Sequence, residues 1–358
     1  MLRYIITRLV WVVIMLFAIL TTTFVLLKTA PEFPPPTNQE RDMWLTEQYQ
    51  NGFMTMETST DPTVIKDFKA RADGKHSFFV QIQGSSVGKF FQRVPIVIQY
   101  VNWMRNVFQW NWGTSSRVQM NVPVFRILGD RIPLTMALNF LALLIYLPVG
   151  IIIGIVAALK KNKLTDNIIQ VAVMIFIAIP GLVLIMFLIM IFSYNLQWLP
   201  TRFPPSYAST NYRALGFVIP VLAMSIPSIA SLTRITRAEL GEVLTSDFVL
   251  LARTKGLSHK QAVIRHAIRN SMVPLVPTVI GSFVGLVSGS VVIERIYGIP
   301  GTGSIFIQAM QQNAYDYNLI MALTAFYTFI GLVTTLVVDL SYGFVDPRIR
   351  IGGKKNAG

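Results

Sequence analysis

The chain has no cysteine, three histidines and few charges, and each shortage narrows what it does. Without cysteine there is no disulfide, no thiolate nucleophile and no Cys-based metal site. His76, His259 and His266 have no second histidine or carboxylate at ligand spacing such as i, i+4, so they suggest neither a metal site nor a Ser-His-Asp arrangement. Asp, Glu, Lys and Arg make up only 13% of the 358 residues, against about 25% in a soluble chain.

That deficit falls in blocks. Six long uncharged stretches run over 9–27, 133–159, 168–194, 214–233, 271–293 and 319–338, each close to the ~20 residues that cross a bilayer as a helix. Backbone polar groups cannot stay unpaired in lipid, so each stretch must be helical. With 53% hydrophobic residues and a mean hydropathy of +0.54, the expected fold is an all-α polytopic membrane protein with six transmembrane helices. Arg3 and Arg8 ahead of the first stretch also fit a signal peptide. Its apolar run is long for one, however, and no A-x-A-like cleavage site follows, so a retained helix is expected.

A net charge of +14 would suggest nucleic acid in a soluble protein. Here the cations alternate along the chain. Arg3 and Arg8, Lys160, Lys161 and Lys163, the run 234–269 and the run 348–355 are basic, whereas the intervening short loops hold only Arg202, Arg213 and Arg295. That fits the positive-inside rule with both termini cytoplasmic. The segment 29–131 is too long to enter the count.

Three parts follow: an N-terminal helix over 1–30, an external region over 31–130 and a helical remainder over 131–358. Pro34-Pro35-Pro36 marks an extended exit from the first helix. Trp44, Tyr49, Phe53, Phe68, Phe78 and Phe79 supply enough aromatic surface for a small folded insert of unassigned fold. Over 94–108, Ile98, Val101, Met104, Val107 and Phe108 recur at helical spacing. The amphipathic helix this implies lies at the membrane surface or packs beneath the insert; Trp103, Trp110 and Trp112 suit interfacial anchoring. Gly150 and Gly154, and Gly281, Gly285 and Gly289, stand four apart and would open helix-packing grooves. Pro180, Pro220 and Pro227 are expected to kink their helices.

The stretch between the fourth and fifth spans is unlike an ordinary connector. Ser246 or Asp247 can cap a short helix through Leu250, Leu251 and Thr254. Gly256 then supplies a left-handed stop. Ser258 with Gln261 forms a capping-box pattern opening a second helix over 259–270. Leu250, Thr254 and Leu257 fall on one face, suited to a groove in another protein. Lys260, Arg265 and Arg269 would equally suit an anionic membrane surface, and a solvated loop is a third option.

This stretch resembles the cytoplasmic coupling loop of binding-protein-dependent ABC importer permeases. The match is closest to the oligopeptide/dipeptide subfamily, at Asp247, Phe248, Val249, Ala252, Arg253, Lys255, Gly256 and Leu257, and then at Arg265, His266, Ala267, Arg269, Asn270 and Pro274. The sequence departs from the general Glu-Ala-Ala form, having Leu251-Ala252-Arg253. It lacks the Ile-x-Leu-Pro tail of sugar and ion permeases, where 266–269 stand. Trp112-Gly113-Thr114-Ser115 resembles the subfamily's Gly-Thr-Ser signature. Glu294 with 297–303 resembles its Glu…Phe-Gly-Ile-Pro-Gly-x-Gly segment, and Asp346-Pro347-Arg348-Ile349-Arg350 its C-terminal ending. The resemblance covers about 94–350 plus the first helix; the insert 31–91 is longer than usual for the family.

The resemblance implies a type I ABC importer permease fold with a small extracellular insert, in a bacterial cell membrane. Residues 131–358 would be the permease core and 237–270 the coupling loop. Its ATPase-contacting residues would be Asp247, Leu250, Leu251, Ala252, Arg253, Thr254, Lys255, Gly256 and Leu257. Gly298, Pro300, Gly301 and Gly303 would form an extracellular gate-side turn. The implied partners are a homologous second permease, two ABC ATPases, an extracellular peptide-binding protein, the peptide and the lipid bilayer, with no nucleic acid. This chain would hold no cofactor and catalyse nothing, ATP and Mg²⁺ being bound by the ATPases.

Two glycine-rich segments invite other readings. Gly298–Gly303 follows a membrane helix rather than a strand, unlike a phosphate loop, and 84–90 approximates a Walker A loop but is one residue short and has Phe90 in place of Ser/Thr. An ion-coupled carrier would carry an ionisable residue deep in a span, whereas Lys28, Glu294 and Asp339 sit near span ends. A backbone-liganded sodium carrier and a receptor using 29–131 as its ligand domain are the remaining alternatives.

Overall fold

A computed structural model describes residues 2–30, 34–82, 84–287, 290–311 and 315–345. Gly289, Ser288, the ending 346–350 and the basic run 348–355 lie outside the described residues. Sixteen helices are distinguished among the described residues: α1 (Leu2–Thr29), α2 (Asn38–Gln50), α3 (Pro62–Arg71), α4 (Ile96–Phe108), α5 (Val124–Leu159), α6 (Leu164–Ala178), α7 (Gly181–Ile189), α8 (Thr210–Leu215), α9 (Val218–Val243), α10 (Asp247–Thr254), α11 (His259–Ala262), α12 (Arg269–Met272), α13 (Val276–Val284), α14 (Val291–Tyr297), α15 (Thr302–Ala309) and α16 (Tyr317–Val345). Three strands, β1 (Met54–Ser59), β2 (Ser77–Gln81) and β3 (Gly88–Arg93), interrupt them.

Among the described residues, five helical stretches are long and apolar enough to cross a membrane: Ile5–Thr29, Val124–Leu159, Thr210–Val243, His259–Val287 and Tyr317–Ser341. A sixth span exists if α6 and the following Gly181–Asn195 count as one, although they meet at 99°. Pro180 accounts for the break. It has no N–H to continue the ladder, and Ile179 before it takes the extended conformation (φ −72°, ψ 120°) that a following proline favours. The other two expected kinks do not break their helix. Pro220 stands in the first turn of α9, where its missing N–H has no intrahelical partner to lose, and α9 runs through Pro227.

The chain divides into two compact units. The first comprises Met1–Leu16, Arg131–Ile305 and Tyr327–Gly358. Its core joins Leu138 and Ala142 of α5, Leu184, Ile185 and Leu188 of α7, Ile219, Val221 and Ala223 of α9, and Ile293, Tyr297 and Ile299. Gly150 and Gly154 let α5 meet α9 closely: a Cβ at Gly154 would stand 2.5 Å from Thr236 Cβ and 2.9 Å from the Thr233 carbonyl oxygen. The second glycine series behaves otherwise. A Cβ at Gly281 would meet Val338 at 3.0 Å, but one at Gly285 would meet nothing within 4 Å. Among the described residues, no helix of this chain seats against Gly285.

The second unit comprises Phe17–Asp130 and Phe306–Phe326. An antiparallel sheet in the order β1-β3-β2 pairs Met54 with Arg93 and Phe78 with Phe91. Period-two alternation turns Phe78, Val80 and Phe91 inward onto Trp44 and Leu45 of α2. Phe24 of α1 is fully buried among Phe53, Tyr100, Trp103 and Tyr317. Trp103 is thus a core residue rather than an interfacial anchor. Ile98, Val101 and Phe108 of α4 are exposed, so they do not pack beneath the insert. The Walker-like 84–90 leads into β3 and not into a helix.

Candidate functional site

The hairpin 247–262 has the expected corner. Gly256 takes φ +93°, a conformation that costs a glycine little and a branched residue much. Ser258 and Gln261 complete a reciprocal capping box. Ser246 occupies the N-cap position of α10, but its hydroxyl donates to the Val243 carbonyl instead of capping. The second helix is not regular over 259–270: a π-helical turn, Val263–Ile268, separates α11 from α12.

One side of the hairpin is anchored. Val249 and Ala252 of α10, with Ala262 and Ala267 beyond the corner, are buried on Ala158 at the end of α5 and Leu240 of α9. Leu257 packs against this same cluster, so it does not share the open face expected for it. That face carries Phe248, Leu250 and Leu251, the last two 60% and 55% exposed, alongside exposed Asp247, Arg253, Thr254 and Lys255. Ala252 belongs to the anchored side. The result is a short helix held by small residues behind and presenting bulky apolar ones in front.

A partly buried ion pair stands just before the hairpin, with the Arg237 side chain 26% exposed. Arg237 donates from Nε to Asp166 Oδ1 at 2.6 Å and from its terminal nitrogen to Oδ2 at 2.7 Å. Asp166 is 1% exposed and also accepts the Asn162 N–H at 2.9 Å. The bidentate geometry orients α9 on α6. Sequence reading missed it because the partners are 71 positions apart.

The glycine-rich turn 298–303 closes around a carboxylate. Glu294 is 2% exposed; it accepts the Ser304 N–H at 3.0 Å and the Thr135 hydroxyl at 3.1 Å. The Thr135 oxygen accepts the Thr302 N–H at 2.9 Å. Gly298 supplies the left-handed end of α14, φ +72°. A Cβ at Gly301 would come within 2.5 Å of Glu294 Oε2 and 2.6 Å of Thr135 Oγ1. The turn is glycine-rich because its backbone closes around an internal carboxyl group, leaving no space for a Cβ at Gly301.

The second unit holds a polar cluster of its own. Glu47 Oε1 accepts from the Thr114 hydroxyl at 2.9 Å, the Thr114 N–H at 3.3 Å and the Asn318 amide at 2.6 Å. Asp316 accepts from the Ser115 hydroxyl and, at 3.0 Å, from the Arg117 N–H. Gly113, at φ +78°, lies so close to Asn318 that a Cβ would stand 2.5 Å from its Nδ2. The Gly-Thr-Ser signature is therefore a binding site for two internal carboxyl groups. Burial pushes the Glu47 carboxyl up from its ordinary 4.5 to about 7, against the lowering effect of the Thr114 hydroxyl, and nearby Asp316 pushes the same way.

No group of three or more metal-ligating side chains exists among the described residues. The described residues present three arrangements: an exposed helix face at 247–255, a bidentate Arg237–Asp166 ion pair and a turn closed around the Glu294 carboxyl group.

Residues 150–351 match the family described as binding-protein-dependent transport system inner membrane component. The chain is 30% identical over 355 residues to a dipeptide transport system permease protein of Bacillus subtilis (strain 168), covering 99% of this chain and 100% of that one. It is also 30% identical over 351 residues to an oligopeptide transport system permease protein of Salmonella typhimurium, covering 98% and 100%. A dipeptide permease of Lactococcus lactis is 35% identical over 257 residues, 72% of this chain and 82% of that one. The family match covers more than half of the residues, including the hairpin and the carboxylate-centred turn, and the chain is accordingly a member of the inner-membrane permease family of binding-protein-dependent ABC importers.

Proposed function

We propose that this chain is one membrane-spanning subunit of an ATP-driven peptide importer, and that 247–257 is the element its ATPase partner grips. The observation that carries this reading is the two-sided hairpin. Phe248, Leu250 and Leu251 face outward while Val249 and Ala252 are fixed to the ends of α5 and α9. An apolar helix face suits a groove in another protein, and a rigid rear attachment passes displacement on to the spans. ATP-driven closure of two ATPase subunits would pull the hairpins and turn the pathway from inward- to outward-facing. A homologous second permease would supply the other wall, and a binding protein would deliver the peptide. Both termini and the hairpin would then be cytoplasmic, and the insert outside. ATP and Mg²⁺ would be held by the ATPases, this chain supplying no catalytic group.

Because the chain lacks cysteine, Leu250→Cys introduces a single thiol into it. In the assembled, transporting complex a short bifunctional reagent should join that thiol to the ATPase subunit. A complex that imports peptide while the introduced thiol reacts only with soluble reagents, and never with the ATPase, would refute the assignment.

A further inference from the structure

Two adjoining cavities in the first unit are not accounted for by the hairpin, the ion pair or the glycine turn. The larger, about 450 Å³, lies among α5, α9, α13 and α14 and is lined in part by Asn139, Tyr146, Ser228 and Ser282. The smaller, about 170 Å³, shares Tyr146, Ser228 and Ser282 and adds Ser231 and Thr278. Among the described residues, no Asp, Glu, Lys, Arg or His lines either one. The polar residues nonetheless stand on stretches long and apolar enough to cross a membrane: Asn139 and Tyr146 within Val124–Leu159, Ser228 and Ser231 within Thr210–Val243, Thr278 and Ser282 within His259–Val287.

How these groups spend their hydrogens defines what they offer. The Ser228 hydroxyl donates to the Met224 carbonyl at 2.9 Å, and the Ser282 hydroxyl donates to the Thr278 carbonyl at 2.9 Å. Each proton is committed to its own helix, so each oxygen presents lone pairs. One N–H of the Asn139 amide donates to the Leu286 carbonyl at 2.7 Å, and the amide oxygen is an acceptor by its chemistry. Gly181 and Gly285 also line the larger cavity, and a Cβ at either would meet no atom within 4 Å. Among the described residues, no helix of this chain fills that room.

We propose that this hydroxyl-lined tract is the subunit's substrate surface, and that it holds a peptide through main-chain N–H groups donating to neutral oxygen acceptors. The proposal rests on the peptide-importer reading and adds the recognition chemistry. Main-chain N–H groups are common to nearly all peptides, and a tract without formal charge neither attracts nor repels an acidic or basic side chain. Side-chain selectivity would then reside elsewhere in the complex.

The test uses Ser282→Cys in the assembled complex in liposomes, modified after assembly so that folding is not at issue. A negatively charged and a positively charged methanethiosulfonate reagent are compared, with Lys-containing and Glu-containing tripeptides as probes. The basic-to-acidic uptake ratio of the unmodified variant is the reference for both adducts. The anionic adduct should shift the basic-to-acidic uptake ratio by about tenfold toward the basic peptide, and the cationic adduct should reverse it. Gly285→Phe, which fills the larger cavity, should abolish uptake of both while ATP hydrolysis continues. Equal uptake of both peptides with either adduct, failure of both reagents to add mass at position 282 during turnover, or undiminished uptake by Gly285→Phe would each overturn the proposal. Absence of ATP-dependent peptide uptake by the unmodified wild-type complex is a different result, and it sinks the importer reading itself.

Discussion

Replacing Glu47 by Gln should remove a pH dependence from the second unit. In the folded chain the Glu47 carboxyl is pushed up to about 7 by burial, with Asp316 adding repulsion, against an ordinary 4.5. Its surroundings are Thr114, Asn318 and Asp316, with Lys28 directed to neighbouring Gln48 and over the Phe53 and Tyr317 rings. A carboxyl whose folded pKa is raised favours folding when protonated. The stabilisation is complete below pH 4.5, declines through the interval and is gone above 7. At 1.36 kcal/mol per unit the whole interval is worth about 3 kcal/mol, most of it falling between pH 5 and pH 8. Gln keeps an acceptor for Thr114 and Asn318 and does not titrate. Pulse proteolysis of the insert in increasing urea, on the full chain in nanodiscs, measures this directly. The wild-type midpoint should fall between pH 5 and 8, and the Glu47→Gln midpoint should fall much less. Identical slopes in the two proteins, or a wild type that gains stability as pH rises, would refute the reasoning.

Four further outcomes rest on particular contacts. Gly154→Val places a branched side chain against Thr236 and the Thr233 carbonyl; it should cost about 1–3 kcal/mol, read as a lower thermal midpoint in detergent. Gly301→Ala drives a methyl into Glu294 and Thr135 and should lower uptake, with Thr135→Ser retaining the wild-type level because the hydroxyl is kept. Asp166→Asn leaves Arg237 without its anion and should cost about 3 kcal/mol, whereas a neutral Asp166→Asn/Arg237→Gln pair should recover part of that midpoint. Gly256→Val forces a β-branched residue to φ +93°; uptake should be lost while membrane insertion, followed by fractionation, is unchanged.

The most legible feature of the sequence was the membrane itself. Charge-free stretches of about 20 residues leave a chain no alternative to helices, and the structure has them. The corner at Gly256 and the box Ser258–Gln261 were legible too, because capping is decided within a few residues. Pro180 and Pro220 show where local rules divide. Both were expected to kink a helix, yet the chain breaks only at Pro180; Pro220 sits in the first turn of α9, and α9 also runs through Pro227.

Tertiary structure decided everything that depends on residues far apart in sequence. The glycines at 298–303 look like a phosphate loop or a bare turn until Glu294 and Thr135 are seen inside them. Gly-Thr-Ser looks like a marker until Glu47 and Asp316 arrive from 67 and 201 positions away. Gly281 and Gly285 are identical in sequence terms, but one seats α16 and the other opens a cavity. Leu257 shares a helical face with Leu250 by spacing and is turned inward by the corner that separates them. Hydropathy and capping are properties of neighbours along the chain, so composition and short spacing fixed them. Burial of a carboxylate, or the vacancy beside a glycine, belongs to whichever distant segment packs there, and only the folded molecule specifies that.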